Sequence, residues 1–292
     1  MMKIGIDSYC FHRLFGEVYD DQKAPSKNIT LEWFIKRAAE LGVDGVSLES
    51  CFVPSFEKSY LSEIKGLLDE YKLDRVWAWG HPDGLEGGAN EAAWDDMMKN
   101  MEYAEAIGAD VMRVCGSSLM FRFEDHEKQL DILTRMFQNA MPDAESKGIK
   151  IADENHIDYN SDEMLRLIHQ VNSPNFGINF DTGNFMRVLD DPVEGMKKLA
   201  PYVFSTHIKD LKPQANCGVG SWHFFACTPT GEGLVDNMAL AKMLKDVDYK
   251  GFLAMEIDYL HEDYRNDWND DDENKAVAQS VDELKRIVKE IG

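Results

Sequence analysis

Apolar positions along the chain recur with two alternating periods. Short runs that alternate or stay apolar are each followed by a longer stretch with apolar residues at i, i+3, i+4 and i+7, the marks of strand and amphipathic helix. The first run, Lys3 to Tyr9, leads through a polar loop to a helix capped by Thr30, with Leu31, Phe34, Ile35, Ala38 and Leu41 on one face and Gly42 as its stop. Val43–Ser50 reads as a strand, followed by a helix carrying Leu61, Ile64, Leu67, Leu68 and Tyr71, and then by the strand Arg75–Gly80. The alternation continues through a helix from Asn90 to Ile107, the strand Asp110–Cys115, a long helix Glu127–Lys147 and the strand Ile149–Glu154. Asn160 with Glu163 forms a capping box for the next helix, Gly177–Phe180 is a strand, and Asp191-Pro192 opens another helix. The strand Phe204–Ile208, the helix Asn237–Val247, the strand Phe252–Ile257 and a terminal helix from about Asn274 to Ile291 complete eight strand and helix units.

Helix-to-strand junctions resemble one another: Ala39-Glu40-Leu41-Gly42, Ala104-Glu105-Ala106-Ile107-Gly108 and Ala144-Glu145-Ser146-Lys147-Gly148 each close a helix on a glycine and pass at once into a strand. Eight such units, with no glycine-rich phosphate fingerprint after the first strand, predict an α/β fold of the closed (β/α)8 kind, a TIM barrel, as one domain over residues 1–292. The segment Tyr259–Glu273 holds seven Asp and Glu residues and is too long for a simple turn. It reads as an active-site loop insertion at 259–273 or as a mobile acidic loop.

Composition adds exclusions. Hydrophobic residues make up 44% of the 292 and aromatics 11%, enough for a large core. Thirty-one Lys and Arg against 53 Asp and Glu leave a net charge of −22, which repels nucleic acid and anionic membranes alike. The chain opens Met1-Met2-Lys3-Ile4-Gly5-Ile6-Asp7, reaching an acid too soon for a secretory apolar stretch, so a cytoplasmic location is expected. Cys10, Cys51, Cys115, Cys217 and Cys227 contain no Cys-x-x-Cys pair and are expected as reduced thiols, mostly buried.

In a barrel the carboxyl ends of the strands share one mouth. Four consecutive strands end there in ionisable groups: Asp153-Glu154-Asn155-His156, Asp181-Thr182-Gly183-Asn184, His207-Ile208-Lys209-Asp210 and Glu256-Ile257-Asp258. Carboxylates gathered without partners in one cavity raise one another's pKa unless a cation neutralises them. Glu154, Asp181, His207 and Glu256 are therefore expected to hold one divalent metal ion. Oxygen-rich ligation with a single imidazole suits Mn2+ first, with Mg2+, Co2+ or Zn2+ also compatible.

Taken together, Glu154-Asn155-His156, Phe180-Asp181-Thr182-Gly183-Asn184, His207-Ile208-Lys209-Asp210, Gly231-Glu232-Gly233 and Met255-Glu256 resemble the xylose isomerase-like superfamily of sugar phosphate isomerases and epimerases, relatives of ketose 3-epimerases and inosose dehydratases. The resemblance spans nearly the whole chain. It implies the same four ligands, with Glu154 and Glu256 doubling as the proton-transfer pair of an isomerase or epimerase that works through an enediolate on a carbohydrate or cyclitol. A homo-oligomer is usual among the relatives. Ketose 3-epimerases carry a histidine where this chain has Asn184, which opens a second reading: a lyase, dehydrating or cleaving a keto-sugar, keto-glycoside or inosose at the same site.

Further substrate-binding residues are expected around the mouth. His156, two positions beyond Glu154, is either a substrate contact or a structural hydrogen-bonding group, and Lys209 stands in the same relation to His207. An ion pair of Lys209 with Asp210 or Glu256 is its alternative role. Glu49, His81 and Arg113 end the second, third and fourth strands, and Asn184 follows the metal-binding aspartate. Trp77, Trp79, Trp222, Phe224 and Phe225 are either sugar-stacking walls or plain packing. The acid within Gly231-Glu232-Gly233 makes that turn a poor phosphate cradle.

Overall fold

The computed structural model of the chain describes residues 2–215, 217, 218 and 220–292; Met1, Asn216 and Val219 lie outside it. Eight parallel strands form the barrel: β1 (Lys3–Asp7), β2 (Gly45–Glu49), β3 (Asp74–Ala78), β4 (Val111–Val114), β5 (Lys150–Glu154), β6 (Phe176–Asp181), β7 (Val203–His207) and, after an inserted ribbon, β10 (Phe252–Met255). Each pairs with the next, and β10 pairs with β1. The ring closes where the Ile208 N–H donates to the Ala254 carbonyl at 2.7 Å and the Glu256 N–H to that of Ile208 at 3.1 Å.

Helix signals read from the chain fall where they were expected. Thr30, Asn90, Asn160, Asp191 and Asp236 each accept a hydrogen bond from the first turn of the following helix, and the Asn160–Glu163 capping box is complete. Gly42, Gly108 and Gly148 close three helices in the left-handed conformation. The first strand is shorter than the run to Tyr9. Asp7 ends it by taking the Tyr9 N–H at 2.6 Å, which turns the chain into a 3-10 helix, Ser8–Phe11, and a short helix, His12–Phe15, instead of a loop.

Inside the ring the strands stack by period two. At the amino-terminal end Val76, Val111, Ala152, Phe252 and Ala254 pack into an apolar floor. Phe252 fills its centre: a Cβ on Gly5 or Gly45 would sit 2.3 or 2.5 Å from its ring, so β1 and β2 must both present glycine there. Two residues further along the same inward face come Arg113 after Val111, Glu154 after Ala152, and Glu256 after Ala254. The floor thus sets the height and direction of the polar layer above it. Below the floor, on the other side of Phe252, a cavity of about 640 Å³ is lined by Lys3, Arg75, Lys150 and Lys250 among others.

Two strands without a counterpart in the sequence reading, β8 (Leu211–Pro213) and β9 (Phe225–Cys227), form an antiparallel ribbon after β7. The segment 259–273 is packed against it. Cys227 and the chain at Tyr259 and His261 exchange backbone hydrogen bonds at 2.7 Å, Tyr259, Leu260 and Trp268 are buried, and Arg13 pairs with Glu273. Its acids have structural partners: the Asp272 carboxylate accepts the Asn266 and Asn269 N–H groups.

Candidate metal centre

Glu154 ends β5, Asp181 ends β6, His207 ends β7, and Glu256 follows β10. One donor atom from each lies within 4.8 Å of the other three, and all four residues are buried. His207 Nδ1 is the hub, 2.7 Å from Glu256 Oε2, 3.2 Å from Glu154 Oε2 and 3.8 Å from Asp181 Oδ2. Asp181 Oδ2, Glu256 Oε2 and His207 Nδ1 are buried and meet no hydrogen-bond geometry, although Lys209 Nζ lies 2.9 Å from the first. On the other side of the imidazole, Nε2 lies 3.4 Å from Asp7 Oδ2.

The carboxylates are more paired than the sequence suggested. Arg113 Nε donates to Glu154 Oε2, and its Nη1 lies 3.5 Å from Glu49 Oε1. Lys209 Nζ lies 2.9 Å from Asp181 Oδ2, 2.9 Å from Asp258 Oδ2 and 3.3 Å from Glu256 Oε2. Burial opposes ionisation of Glu154, yet the Arg113 guanidinium and the His207 ring hold its carboxyl well below the usual range. Glu256, buried beside His207 and Lys209, is also held low. Asp181 goes the other way: burial, with Glu154 and Glu256 beside it, pushes it up to about 7 against the pull of Lys209. A dication at the convergence point supplies the charge that keeps all three ionised together, so the donor set fits a metal ion.

A model of the xylose isomerase-like TIM barrel family matches residues 35–290. The chain belongs to that family. An inosose dehydratase of Clostridium botulinum is 22% identical over 263 residues, covering 82% of this chain and 86% of that one. A 3-oxo-isoapionate decarboxylase of Pectobacterium atrosepticum is 26% identical over 161 residues, a little over half of each protein at 55% and 56%. The structure of an L-ribulose 3-epimerase superposes with a TM-score of 0.74 at 15% identity, over 100% of this chain and 96% of that one, a likeness of fold.

Around the ligands of this xylose isomerase-like barrel, Asn184 donates to Glu154 Oε1 at 3.1 Å, and Lys209 Nζ approaches its amide oxygen at 3.4 Å. His156 lies beside Trp222 with ring centres 5.6 Å apart; its Nδ1 is buried without a hydrogen bond, and burial lowers its pKa to about 4. Glu49, pushed up to about 8 by burial despite Arg113, joins the same network through that arginine. His81 stands apart from the cluster, stacked on Trp79 at 5.2 Å. Trp77 and Trp79 face the helix Glu91–Ile107, donating to Asn100 and Asp96, and are packing residues. His223 on the ribbon's loop stacks on Tyr259 at 3.8 Å.

Lys209 pairs with Asp181, Asp258 and Glu256, whereas Asp210 points away from it. Asp210 accepts the N–H groups of Gly231, Gly233 and Val235 at 2.8 to 3.0 Å, so the Gly231-Glu232-Gly233 turn spends its amides on this carboxylate. A Cβ on Gly233 would meet Asp210 Oδ1 at 2.1 Å. Sequence reasoning missed Asp7, Asn179, Arg187 and Asp258. Asn179 donates to Glu154 at 3.3 Å, and Arg187 grips Asp258 through both nitrogens at 2.6 and 3.1 Å. Period-two spacing from Asp181 and Glu256 was the available signal for Asn179 and Asp258; Arg187, in the short helix Asn184–Arg187, had none.

Proposed function

We propose that the chain is a divalent-metal-dependent sugar isomerase or epimerase that transfers a proton at the carbon next to a carbonyl. The observation that carries this reading is the buried convergence of Glu154, Asp181, His207 and Glu256, one donor atom of each within 4.8 Å of the others, at the carboxyl end of the barrel. Glu154, Asp181, His207 and Glu256 would hold the dication, Mn2+ first, and it would supply Lewis-acid polarisation beside a substrate carbonyl, acidifying the adjacent carbon. Glu154 and Glu256 are the proton-transfer pair: the carboxylate on one face takes the proton from carbon, and the other, in its protonated form, returns one from the opposite face. Arg113, Asn179 and Asn184 fix the Glu154 carboxylate. Lys209, His156, Asn184, Glu49, Arg113 and His81 are the residues proposed to meet substrate hydroxyls, with the segment 259–273 as the active-site loop.

A lyase at the same centre is the second reading, favoured by Asn184 in place of the epimerase histidine and by a buried ammonium, Lys209, placed to stabilise an enolate. The names of the dehydratase and decarboxylase relatives lend it support. Proton NMR of the metal-loaded protein in D2O, with keto-sugars, sugar phosphates, inososes and 3-keto-glycosides, separates the two. Deuterium next to the carbonyl together with a new sugar isomer is expected. Loss of water or of an aglycone assigns the lyase, and absence of exchange with every substrate removes both.

A further inference from the structure

We propose that Asp7 is the positioning residue of the metal centre: its buried carboxylate faces His207 Nε2 at 3.4 Å and sets the ring so that Nδ1 is presented to the ion. The inference rests on the four-ligand reading above. A neutral imidazole carries one proton, and the nitrogen that holds it cannot bind a metal. On the ligand side Glu256, Glu154 and Asp181 oxygens surround Nδ1 at 2.7, 3.2 and 3.8 Å. On the far side the facing group is Asp7, at the end of β1 on the inward face two positions after Gly5.

Asp7 is fully buried, and its carboxylate is pinned. Oδ1 takes the Tyr9 N–H at 2.6 Å, which starts the Ser8–Phe11 turn. Oδ2 is thereby aimed across the barrel at His207 Nε2, 3.4 Å away, and has no hydrogen-bond partner of its own. A carboxylate behind a ligating histidine fixes the ring's tautomer and direction, and its loss costs about 10- to 100-fold in metal affinity.

Asp7→Asn is the informative change because it keeps shape while reversing one hydrogen-bond polarity. The Tyr9 N–H demands the amide oxygen, so the amide NH2 turns to Nε2 and cannot accept the N–H that Nε2 carries when Nδ1 binds an ion. The experiment uses the full chain with 15N-labelled histidine: long-range 1H–15N NMR of His207 in the Zn2+-loaded protein, Zn2+ affinity by chelator competition, and thermal unfolding without metal. The wild type is expected to show the Nε2–H tautomer. Asp7→Asn is expected to bind Zn2+ about 10- to 100-fold more weakly, with its metal-free midpoint unchanged. Wild-type affinity in Asp7→Asn, or a wild-type proton on Nδ1, overturns the assignment. Should Asp7→Asn fail to fold, the wild-type NMR pattern decides alone. A wild type that binds no Zn2+ overturns the four-ligand centre itself, and this inference with it.

Discussion

Replacing Arg113 with methionine tests whether the polar layer is held by charge pairing or by packing. The guanidinium is 6% exposed and faces two carboxylates, Glu154 through Nε and Glu49 at 3.5 Å through Nη1, while Nη1 also reaches the Trp79 carbonyl at 3.4 Å. Methionine fills most of the volume but leaves two buried acids without their cation. Breaking a buried pair from one side costs about 3–5 kcal/mol. For a chain of 292 residues the unfolding entropy is about 0.6 kcal/mol per kelvin, so the melting midpoint should fall by about 5–8 °C. The assay is calorimetry and urea unfolding in chelator, repeated at about 0.5 M NaCl, which screens exposed pairs and should leave this difference intact. Adding Glu49→Gln removes one orphaned acid and should recover part of the loss. A drop below about 1 kcal/mol, or one that vanishes in salt, refutes the view that Arg113 is what allows Glu154 to stay ionised at this depth.

Other perturbations address single links of the argument. Asp181→Asn should lose metal and activity together, and full metal content by elemental analysis would remove Asp181 from the ligand set. Glu256→Gln should reduce turnover by at least about 100-fold, and near-normal rates would take it out of proton transfer. Asp158, buried with Oδ1 accepting the His156 and Tyr159 N–H groups at 3.0 and 2.7 Å, is pushed by burial up to about 7 from an unfolded value of 3.8. Its contribution to stability is therefore complete below pH 4 and lost as pH rises through 7, at about 1.4 kcal/mol per pH unit inside that window. Asp158→Asn, whose oxygen can keep both N–H groups, should flatten that part of the profile; an unchanged slope in urea unfolding at pH 5 and 8 would show that Asp158 ionises normally. Gly45→Ala should destabilise by about 1–3 kcal/mol, because its methyl would overlap the Phe252 ring, and an unchanged midpoint would mean the floor is loosely packed.

How much of this was legible depended on the range of the interaction. Caps such as Thr30 and Asn160 act within three residues, so sequence order reveals them directly, and the eight strands follow from period and length. The gathering of Glu154, Asp181, His207 and Glu256 was legible because each lies at or just past the end of a strand, and the barrel makes strand ends neighbours. Arg113 reaching Glu154, Lys209 reaching Asp258, and Asp7 reaching His207 are set by side-chain length and by which strands stand side by side, and no local pattern encodes that. The ribbon formed by Leu211–Pro213 and Phe225–Cys227 was missed for another reason: three-residue strands are too short to show a period. The polar character of 259–273 misled in part, since its order comes from Trp268, Leu260 and the Arg13–Glu273 pair rather than from an apolar stripe.

Phe252, in the apolar floor, also lines the hollow at the amino-terminal end of the barrel. The lower hollow is roomy, edged with lysines and open at the wrong end, whereas the ligands sit under loops at the other. A compound that filled this hollow would therefore be expected to raise the melting point without touching the candidate metal centre. Screens that score binding by thermal shift alone would collect such compounds as false inhibitors of this chain.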